Sequence, residues 1–144
     1  MDIDGDGFLD LIAGNHEGEL RYYRSDRSSG SVQWILESNY FLGYQGGKNS
    51  APVLTDLDGD NDLDLLVGNQ NGSINYWENK GIPEIADFVY NPTVFIGVAS
   101  GRNSVPAVID LNADGKKDLL MGKFNGQLYK FIRNDIGKEI RFVL

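Results

Sequence analysis

The sequence predicts an all-β fold of three tandem units, each a four-stranded antiparallel sheet of the β-propeller blade type. An acidic stretch occurs three times, beginning at Asp2, Asp56 and Asp110, with a constant spacing of 54 residues. A fixed period of this length is typical of solenoids and propellers. Glycine is frequent, at 18 residues, and proline is rare, at 4, which favours short strands and tight turns over a helical bundle.

Each unit is predicted to hold strands on both sides of its acidic stretch. One strand precedes the stretch, a second follows it, a third carries aromatic residues, and a fourth segment ends the unit. In that order, the predicted strands are Ala51–Thr55 and Val105–Ile109; Leu9–Gly14, Leu63–Gly68 and Leu119–Gly122; Glu19–Arg24, Ser73–Glu78 and Gln127–Ile132; and Phe41–Gly43 and Phe95–Val98. Tight hairpins are predicted at Glu17-Gly18, Asn71-Gly72 and Asn125-Gly126, since Asn-Gly strongly favours such turns.

Aromatic residues recur with the same period and predict the packing between units. Two sets align, Tyr23 with Trp77 and Phe131, and Trp34 with Phe88 and Phe142. Because a residue that recurs in every unit serves a need common to every unit, we expect both sets to pack between blades. Four tyrosines outside these sets could instead line a sugar-binding surface: Tyr22, Tyr40, Tyr44 and Tyr76.

The predicted blades span approximately residues 1–50, 51–104 and 105–144. The first has no counterpart of the inner strand Ala51–Thr55, and the last stops before the segment that would match Thr93–Val98, so its outer strand is incomplete. A propeller has about four blades or more. We therefore expect the chain to be part of a longer protein, or a subunit whose strand edges are completed by its neighbours.

Composition excludes several functional classes. The formal net charge of −8 argues against nucleic acid or an anionic membrane as a partner and favours cations. No apolar stretch approaches the roughly 20 residues of a membrane-spanning helix. The given sequence contains no signal peptide, so we expect either an intracellular chain or a signal that lies outside this sequence. Because there is no cysteine, disulfide content cannot indicate whether the protein works in an oxidising or a reducing compartment.

The acidic stretches have the composition of calcium-binding loops. Oxygen-bearing residues occupy positions 1, 3, 5 and 9 of each copy, and alternate residues of a tightly turning loop can direct their oxygens to one centre. Ca²⁺ accepts about six to eight hard oxygen ligands in irregular geometry, whereas Mg²⁺ prefers a strict octahedron and keeps its waters. With no cysteine and one histidine, zinc and copper are disfavoured. The predicted ligands are Asp2, Asp4, Asp6 and Asp10; Asp56, Asp58, Asp60 and Asp64; and Asp110, Asn112, Asp114 and Asp118.

Position 7 is predicted to bind the ion through its backbone carbonyl only. Its side chains differ too much to share a ligand role, and a lysine cannot contact a cation; the residues are Phe8, Asp62 and Lys116. Position 6 is glycine or asparagine in every copy, which predicts a positive φ. The loop is not an EF-hand, because position 12 is apolar where an EF-hand needs a bidentate glutamate.

Charge balance supports the calcium interpretation. Eleven of the 21 acidic residues lie at positions 1, 3, 5 and 9, and three Ca²⁺ ions would add six positive charges and change −8 to −2. The alternative is that Asp-Gly runs are merely turns, which three copies in one register disfavour. The third loop, with Asn112 and Ala113, fits the pattern least closely. We expect up to three Ca²⁺ ions per chain.

The whole pattern resembles a known repeat family. Asp-x-Asp-Gly-Asp-x-x-x-Asp-Leu-x-x-Gly, followed by Asn-Gly-x-Leu-x-Tyr-Tyr, is similar to the FG-GAP or VCBS repeat, the blade unit of integrin-α-type and many bacterial surface propellers. The segment Asn49–Pro52 resembles bacterial members in particular. The resemblance covers nearly the whole chain and implies that the loop between the first two strands of each blade binds Ca²⁺ through the residues named above.

We therefore expect a calcium-binding propeller module of a secreted or cell-surface bacterial protein, serving adhesion, recognition or scaffolding, with an unidentified protein or glycan ligand. One alternative is a subunit of an extracellular filament or surface assembly, completed through its open blade edges. Another is a propeller, catalytic or not, of a polysaccharide-degrading enzyme. No catalytic motif is present, and His16 is interpreted as a solvent-facing turn residue, so we expect no enzymatic activity.

Overall fold

The computed structural model describes residues 1–82, 85–94, 96–97, 102–135 and 140–143. Within these ranges the chain is all-β, with two short 3₁₀ turns, and its strands form three antiparallel sheets, which we call the first, second and third blades. The tandem-blade prediction is confirmed. The strands are β1 (Leu11–Gly14), β2 (Leu20–Asp26), β3 (Gln33–Ser38), β4 (Ala51–Thr55), β5 (Asp64–Gly68), β6 (Ser73–Asn79), β7 (Phe88–Tyr90), β8 (Ile96–Gly97), β9 (Val105–Ile109), β10 (Asp118–Gly122), β11 (Leu128–Arg133) and β12 (Phe142–Val143).

Each blade is a meander in which consecutive strands pair side by side. The first blade has the order β1-β2-β3, the second β4-β5-β6-β7 with β8 added beside β6, and the third β9-β10-β11-β12. The register repeats between blades, with Leu11 opposite Tyr23, Leu65 opposite Trp77, and Leu119 opposite Phe131. In the described part of the chain the three blades form an open array and not a closed ring.

The predicted fourth strand is wrong in the first unit and confirmed in part in the second. Phe41–Gly43 forms a 3₁₀ turn, in which Leu42 has a φ of 59° that a β-strand cannot accommodate. In the second unit, Ile96–Gly97 forms the short strand β8, whereas Phe95 and Val98 lie outside the described residues.

The fourth strands lie earlier, at the second set of recurring aromatic residues. They are β3, β7 and β12, which contain Trp34, Phe88 and Phe142. β3 is exposed along almost its whole length, so burial imposes no apolar alternation on its sequence. Backbone pairing with β2 holds it in the sheet, and pairing of that kind leaves little trace in side-chain pattern.

The hairpins between the second and third predicted strands are confirmed. Gly18, Gly72 and Gly126 have φ of 89°, 83° and 80°. A backbone with positive φ is accessible to glycine at little steric cost, which explains why glycine recurs at this corner of each blade.

The apolar core lies between blades. β5 is buried along its whole length because both of its faces are covered. On one face Leu65 and Val67 join Leu20 of the first blade in a buried cluster. On the other, Leu66 joins Met121 of the third blade. A strand covered on both faces reads as a continuous apolar run and not as an alternating one.

The recurring aromatic residues pack between blades where a preceding blade exists. Trp77 and Phe131 are buried in the two clusters, and Phe88 and Phe142 lie against those clusters. Trp34, in the first blade, is 50% exposed. The predicted packing role is thus confirmed in the second and third blades. None of the helical turns in the described residues has the length or apolar character needed to span a bilayer.

Candidate metal-binding loops

The second and third acidic loops each connect the innermost strand of their blade to the next strand. The second loop leaves β4 after Thr55 and enters β5 at Asp64; the third leaves β9 after Ile109 and enters β10 at Asp118. The first loop leads into β1. All three therefore occupy the same corner of their blades, where the chain reverses over nine residues.

The aspartate at position 9 clamps each loop to its own blade. In the second loop Asp64 is fully buried. Its Oδ2 accepts a hydrogen bond from the backbone N–H of Leu57 at 2.9 Å, and its Oδ1 accepts one from that of Asn79, at the end of β6, at 2.8 Å. The other loops repeat both bonds: Ile3 (2.9 Å) and Ser25 (3.0 Å) donate to Asp10, and Leu111 (2.9 Å) and Arg133 (2.8 Å) donate to Asp118.

The sequence pattern predicted position 9 only as a metal ligand and did not predict this clamping role. The available signal was that position 9 stays aspartate in the third copy, whereas position 3 there becomes Asn112. A carboxylate that accepts two backbone N–H groups makes charge-assisted hydrogen bonds and cannot be replaced by an amide without losing one acceptor. A residue needed only as a metal ligand would tolerate that exchange more easily.

The aspartate at position 1 organises the turn of each loop. Asp56 accepts the backbone N–H of Gly59 at 2.7 Å on one oxygen and that of Asn61 at 3.2 Å on the other. Asp2 is bonded in the same way to Gly5 and Gly7, both at 2.8 Å. Asp110 accepts the N–H of Asp114, one position later in the loop, at 3.2 Å and that of Gly115 at 2.9 Å.

In the first two loops, the aspartates at positions 3 and 5 each use one oxygen to stabilise the loop. Asp58 accepts the N–H of Asp60 at 3.2 Å, and Asp60 accepts that of Asp62 at 3.0 Å, in both cases through Oδ1. The first loop has equivalent bonds from Asp6 to Asp4 (3.2 Å) and from Phe8 to Asp6 (2.8 Å). The second carboxylate oxygen of each aspartate is not used by these turns and can contact a cation.

Two groups of carboxylates converge closely enough to share an ion. Asp56, Asp58 and Asp60 place one oxygen each within 4.8 Å of one another, and Asp2, Asp4 and Asp10 do the same in the first loop. The group in the first loop includes its position 9 aspartate but not Asp6, and the group in the second includes Asp60 but not Asp64. The structure therefore brings together three predicted side-chain ligands in each of these two loops.

Burial, together with the crowding of carboxylates, raises pKa values in the first and second loops. Burial, reinforced by the neighbouring carboxylate of Asp60, raises the pKa of Asp62 to about 6. Burial also raises the pKa of Asp64 to about 6, against the lowering effect of its two backbone hydrogen bonds. The pKa values of Asp58 and Asp4 are raised by desolvation and by adjacent aspartates. A cation among these groups would favour their ionised forms.

In the third loop, hydrogen bonds from the loop's own residues stabilise the negative charge of the position 5 aspartate. The Asn112 side chain donates to Asp114 at 3.0 Å, and the backbone N–H of Lys116 donates to its other oxygen at 2.8 Å. These hydrogen bonds, the backbone one foremost, lower the pKa of Asp114. The described residues of this loop form no group of three converging acids, so its demand for a cation is the weakest of the three.

Position 7 differs in the second loop. The Asp62 side chain is 5% exposed, and its Oδ1 has no hydrogen-bond partner among the described residues. A buried carboxylate oxygen without a partner is costly. At the equivalent position Phe8 is exposed and Lys116 forms an ion pair with Asp135 at 3.1 Å. Only the second loop therefore offers a side chain here in addition to the backbone carbonyl.

The backbone of the loops confirms one prediction and adds another feature. Position 6 has positive φ in every copy, as predicted: Gly7 at 90°, Asn61 at 77° and Gly115 at 85°. Position 4 also has positive φ, with Gly5 at 80°, Gly59 at 93° and Ala113 at 60°. Ala113 carries a Cβ in a conformation that disfavours one, and the residue pattern of the loop does not predict this.

Comparison with known families agrees with this geometry. The family described as FG-GAP-like repeat matches residues 2–67 and, in a second copy, residues 56–121. The chain belongs to the FG-GAP-like repeat family. Each matched range of this FG-GAP-like chain begins at one acidic loop, continues through the following acidic loop and ends in the strand after it. All three loops therefore lie within matched residues. No curated protein and no solved structure matches the chain.

Outside the loops, the FG-GAP-like chain does not assemble the tyrosine surface suggested by its sequence. Tyr44 and Tyr76 are 4% and 1% exposed, so their rings face the core. Tyr22 donates to Asp10 at 3.2 Å and stacks near Phe41. Tyr40 alone of the four is exposed. Buried rings cannot present a flat face to a sugar.

Proposed function

We propose that this FG-GAP-like chain is a calcium-binding module in which the ions hold the corner loops of the blades. The observation that carries the proposal is the convergence of Asp56, Asp58 and Asp60 within 4.8 Å, beside carboxylates whose pKa values are raised. Like charges held this close favour a divalent cation, and an all-oxygen set of this kind suits Ca²⁺.

The proposed ligands of the second loop are its position 1, 3 and 5 aspartates together with Asp62 and Asp64. Asp62 can contribute its backbone carbonyl, its buried Oδ1 or both. Asp64 accepts two backbone hydrogen bonds, so its share in binding an ion is additional to its role as a clamp. We propose that the first loop binds Ca²⁺ in the same manner and that the third, with Asn112 and Lys116, binds it most weakly.

We further propose that the module belongs to a secreted or cell-surface protein of bacterial type and acts as a scaffold for adhesion or recognition. Calcium sites of extracellular modules have dissociation constants of about 10⁻⁴–10⁻³ M, suited to calcium levels outside cells. The family, the acidic charge of −8 and the acidic loops support this proposal. The ligand would be a protein or a glycan.

We propose no catalytic role for the chain. Its one histidine, His16, is exposed in a hairpin, and its Nδ1 lies 2.7 Å from Oδ1 of Asn49 in the second blade. A hydrogen bond that joins two neighbouring blades supports a structural role for this residue.

A second candidate function, a subunit of a larger extracellular assembly, is favoured by the two ends of the array. Leu11 is 42% exposed and Leu128 is 66% exposed, whereas their equivalents Leu65 and Ile74 are fully buried. Light scattering with and without calcium tests this candidate, because an assembly would exceed the 16.0 kDa of one chain.

Calcium titration of the chelated chain tests the metal proposal. Calorimetry should show two sites of similar affinity and a weaker third, and melting followed by circular dichroism should show a rise in Tm with calcium. Asp58→Ala should remove one of the stronger sites, whereas Asp26→Ala, which removes a half-buried aspartate outside the loops, should leave all of them. Absence of binding heat and of any Tm change at millimolar calcium would contradict the proposal.

A further inference from the structure

Adjacent blades are joined by an Asn-Ser segment that inserts a hydroxyl into the hairpin of the preceding blade. The Ser50 hydroxyl accepts the backbone N–H of Asn15 at 2.9 Å and donates to the carbonyl of Glu19 at 2.7 Å. At the next joint Ser104 does the same, accepting the N–H of Asn69 at 2.8 Å and donating to the carbonyl of Ser73 at 2.5 Å. The serine thus bridges two backbone groups of the neighbouring hairpin.

Backbone hydrogen bonds complete each joint. The N–H groups of Asn49 and Ser50 donate to the carbonyls of His16 and Asn15 at 3.0 and 3.1 Å. Asn103 and Ser104 repeat these bonds to Gln70 and Asn69 at 3.1 and 2.9 Å. Both asparagines have positive φ, 55° and 59°, a conformation that asparagine tolerates better than most residues. The joint is therefore one unit of structure used twice.

Glycine is required where the Asn-Ser segment approaches. A Cβ on Gly14 would overlap the backbone oxygen of Ser50, and one on Gly68 would overlap that of Ser104. In the third blade the equivalent residue is Gly122, yet the nearest atom to a Cβ there would be the oxygen of Val105 at 3.9 Å. The third blade keeps the glycine although no atom of the described structure would overlap a Cβ there.

In the hairpin of the third blade, residues 124–128 are exposed and Lys123 is buried, whereas the corresponding glycine and apolar residue of the other two hairpins are covered. Leu128 is 66% exposed, whereas its equivalents Leu20 and Ile74 are fully buried, and Phe124 is 79% exposed. In addition, the N–H of Lys123 donates directly to the carbonyl of Gln127 at 3.0 Å. In the other two blades a serine hydroxyl bridges this pair of groups.

We propose that this hairpin, residues 122–128, is a docking site for the Asn-Ser segment of a further repeat unit outside this sequence. We call it the acceptor hairpin. The docked serine would insert between Lys123 N–H and Gln127 carbonyl, and the docked backbone would cover Gly122 and Leu128. A second copy of this chain is not the occupant, because both of its own Asn-Ser pairs, at Ser50 and Ser104, are already engaged in joints.

The partner is thereby specified by its chemistry. It presents asparagine in a positive-φ conformation, then serine, then a small or apolar residue and proline, as at residues 49–52 and 103–106. This inference does not depend on calcium, since the acceptor hairpin contains no loop carboxylate. It names the partner needed at one of the two open ends of the array.

A synthetic peptide with the sequence of residues 43–52, labelled with fluorescein, tests the proposal by fluorescence anisotropy against the full chain. The peptide ends at Pro52, within the inner strand β4. It therefore lacks most of the strand that could otherwise pair with β1, where the first blade has no inner strand of its own. We expect saturable binding, both with calcium and with chelator. A peptide in which the serine is alanine should bind about tenfold more weakly, as expected for loss of one bridging hydroxyl.

Gly122→Val should abolish binding, because the added side chain occupies the approach of the docked backbone, while in the free chain a Cβ there meets no described atom closer than 3.9 Å. Leu128→Ser should weaken binding without introducing bulk, and Lys130→Val, an exposed change on β11, should leave binding intact. Circular dichroism checks that each variant is folded. Failure of the peptide to bind, or binding unchanged by both Gly122→Val and Leu128→Ser, would overturn the proposal. So would dimerisation of the chain alone, by sedimentation, that Gly122→Val abolishes.

Discussion

At the residue scale, equivalent positions of the three loops carry different side chains in the same backbone. Position 4 shows this most simply, because Gly5, Gly59 and Ala113 all have positive φ. An L-residue with a Cβ in this region costs about 1–2 kcal/mol relative to glycine. The third loop therefore contains local strain that the first two lack.

Ala113→Gly should stabilise the chain. We expect the free energy of unfolding to increase by up to about 1 kcal/mol, since relief of strain is partly offset by the greater freedom of glycine in the unfolded chain. Urea denaturation followed by tryptophan fluorescence measures the change. The matched variant Gly59→Ala introduces the same strain in the second loop and should destabilise by a similar amount. A destabilising Ala113→Gly would mean that the loop does not adopt this conformation.

A second residue-scale difference is the buried Asp62. Its pKa is raised to about 6, as is that of Asp64, whereas an aspartate in the unfolded chain has a pKa of about 3.9. Between about pH 4 and pH 6 the folded chain therefore binds more protons than the unfolded chain at these two sites, and stability falls as the pH rises through this range.

In the presence of chelator, the Tm should decrease from pH 5 to pH 7 because of these two groups. Asp62→Asn removes one of the two titrating carboxylates and should make the decrease in Tm smaller. Calcium favours the ionised carboxylates and should therefore reverse the decrease in Tm. Thermal melting at a series of pH values measures all three effects. A pH dependence identical in Asp62→Asn and the unchanged chain would show that Asp62 titrates normally.

At the element scale, the position 9 aspartate attaches each loop to its blade. The other ligand residues of the loop, as we propose, bind the ion. These two roles predict different responses to metal. Asp64 accepts N–H groups from Leu57 in the loop and from Asn79 at the end of β6. Without it, both buried donors lose their acceptor, whether or not calcium is present.

Asp64→Ala should destabilise the chain by roughly 2–5 kcal/mol even in chelator, as expected for two unpaired backbone donors. Asp58→Ala should cost little in chelator and should reduce only the stabilisation gained from calcium. Denaturation curves of both variants with and without calcium separate the roles. Equal behaviour of the two variants in chelator would mean that position 9 is not a clamp.

At the scale of the whole molecule, the blades hold together by the Asn-Ser joints and by the apolar clusters between them. Gly68 lies where a Cβ would overlap the backbone oxygen of Ser104, whereas Gly122 is open. The same substitution at these two equivalent glycines therefore reports on blade packing alone.

Gly68→Ala should lower the free energy of unfolding by at least about 2 kcal/mol, because the overlap forces the second and third blades apart. Gly122→Ala should change it by no more than about 0.5 kcal/mol, as at an open surface position. Chemical denaturation of the pair measures the difference. Equal effects would show that the joint between these blades is looser than described.

The sequence alone determined the period, the all-β architecture, the inner strands and the position of the acidic loops, because these depend on local patterns that repeat. It also predicted positive φ at position 6 and the hairpins at Gly18, Gly72 and Gly126. The fourth strands escaped detection because β3 is exposed and holds its place through backbone pairing, which side-chain pattern does not encode.

Only the tertiary structure decided which carboxylates converge and which serve as clamps. Asp58 and Asp64 look alike in the sequence, yet one is exposed in the loop and the other is buried against the amide of Asn79, 15 residues away. The contrast between Gly68 and Gly122 likewise arises from whether a neighbouring blade is present. Burial and the distance between groups remote in sequence set these properties, and neither is a property of the local chain.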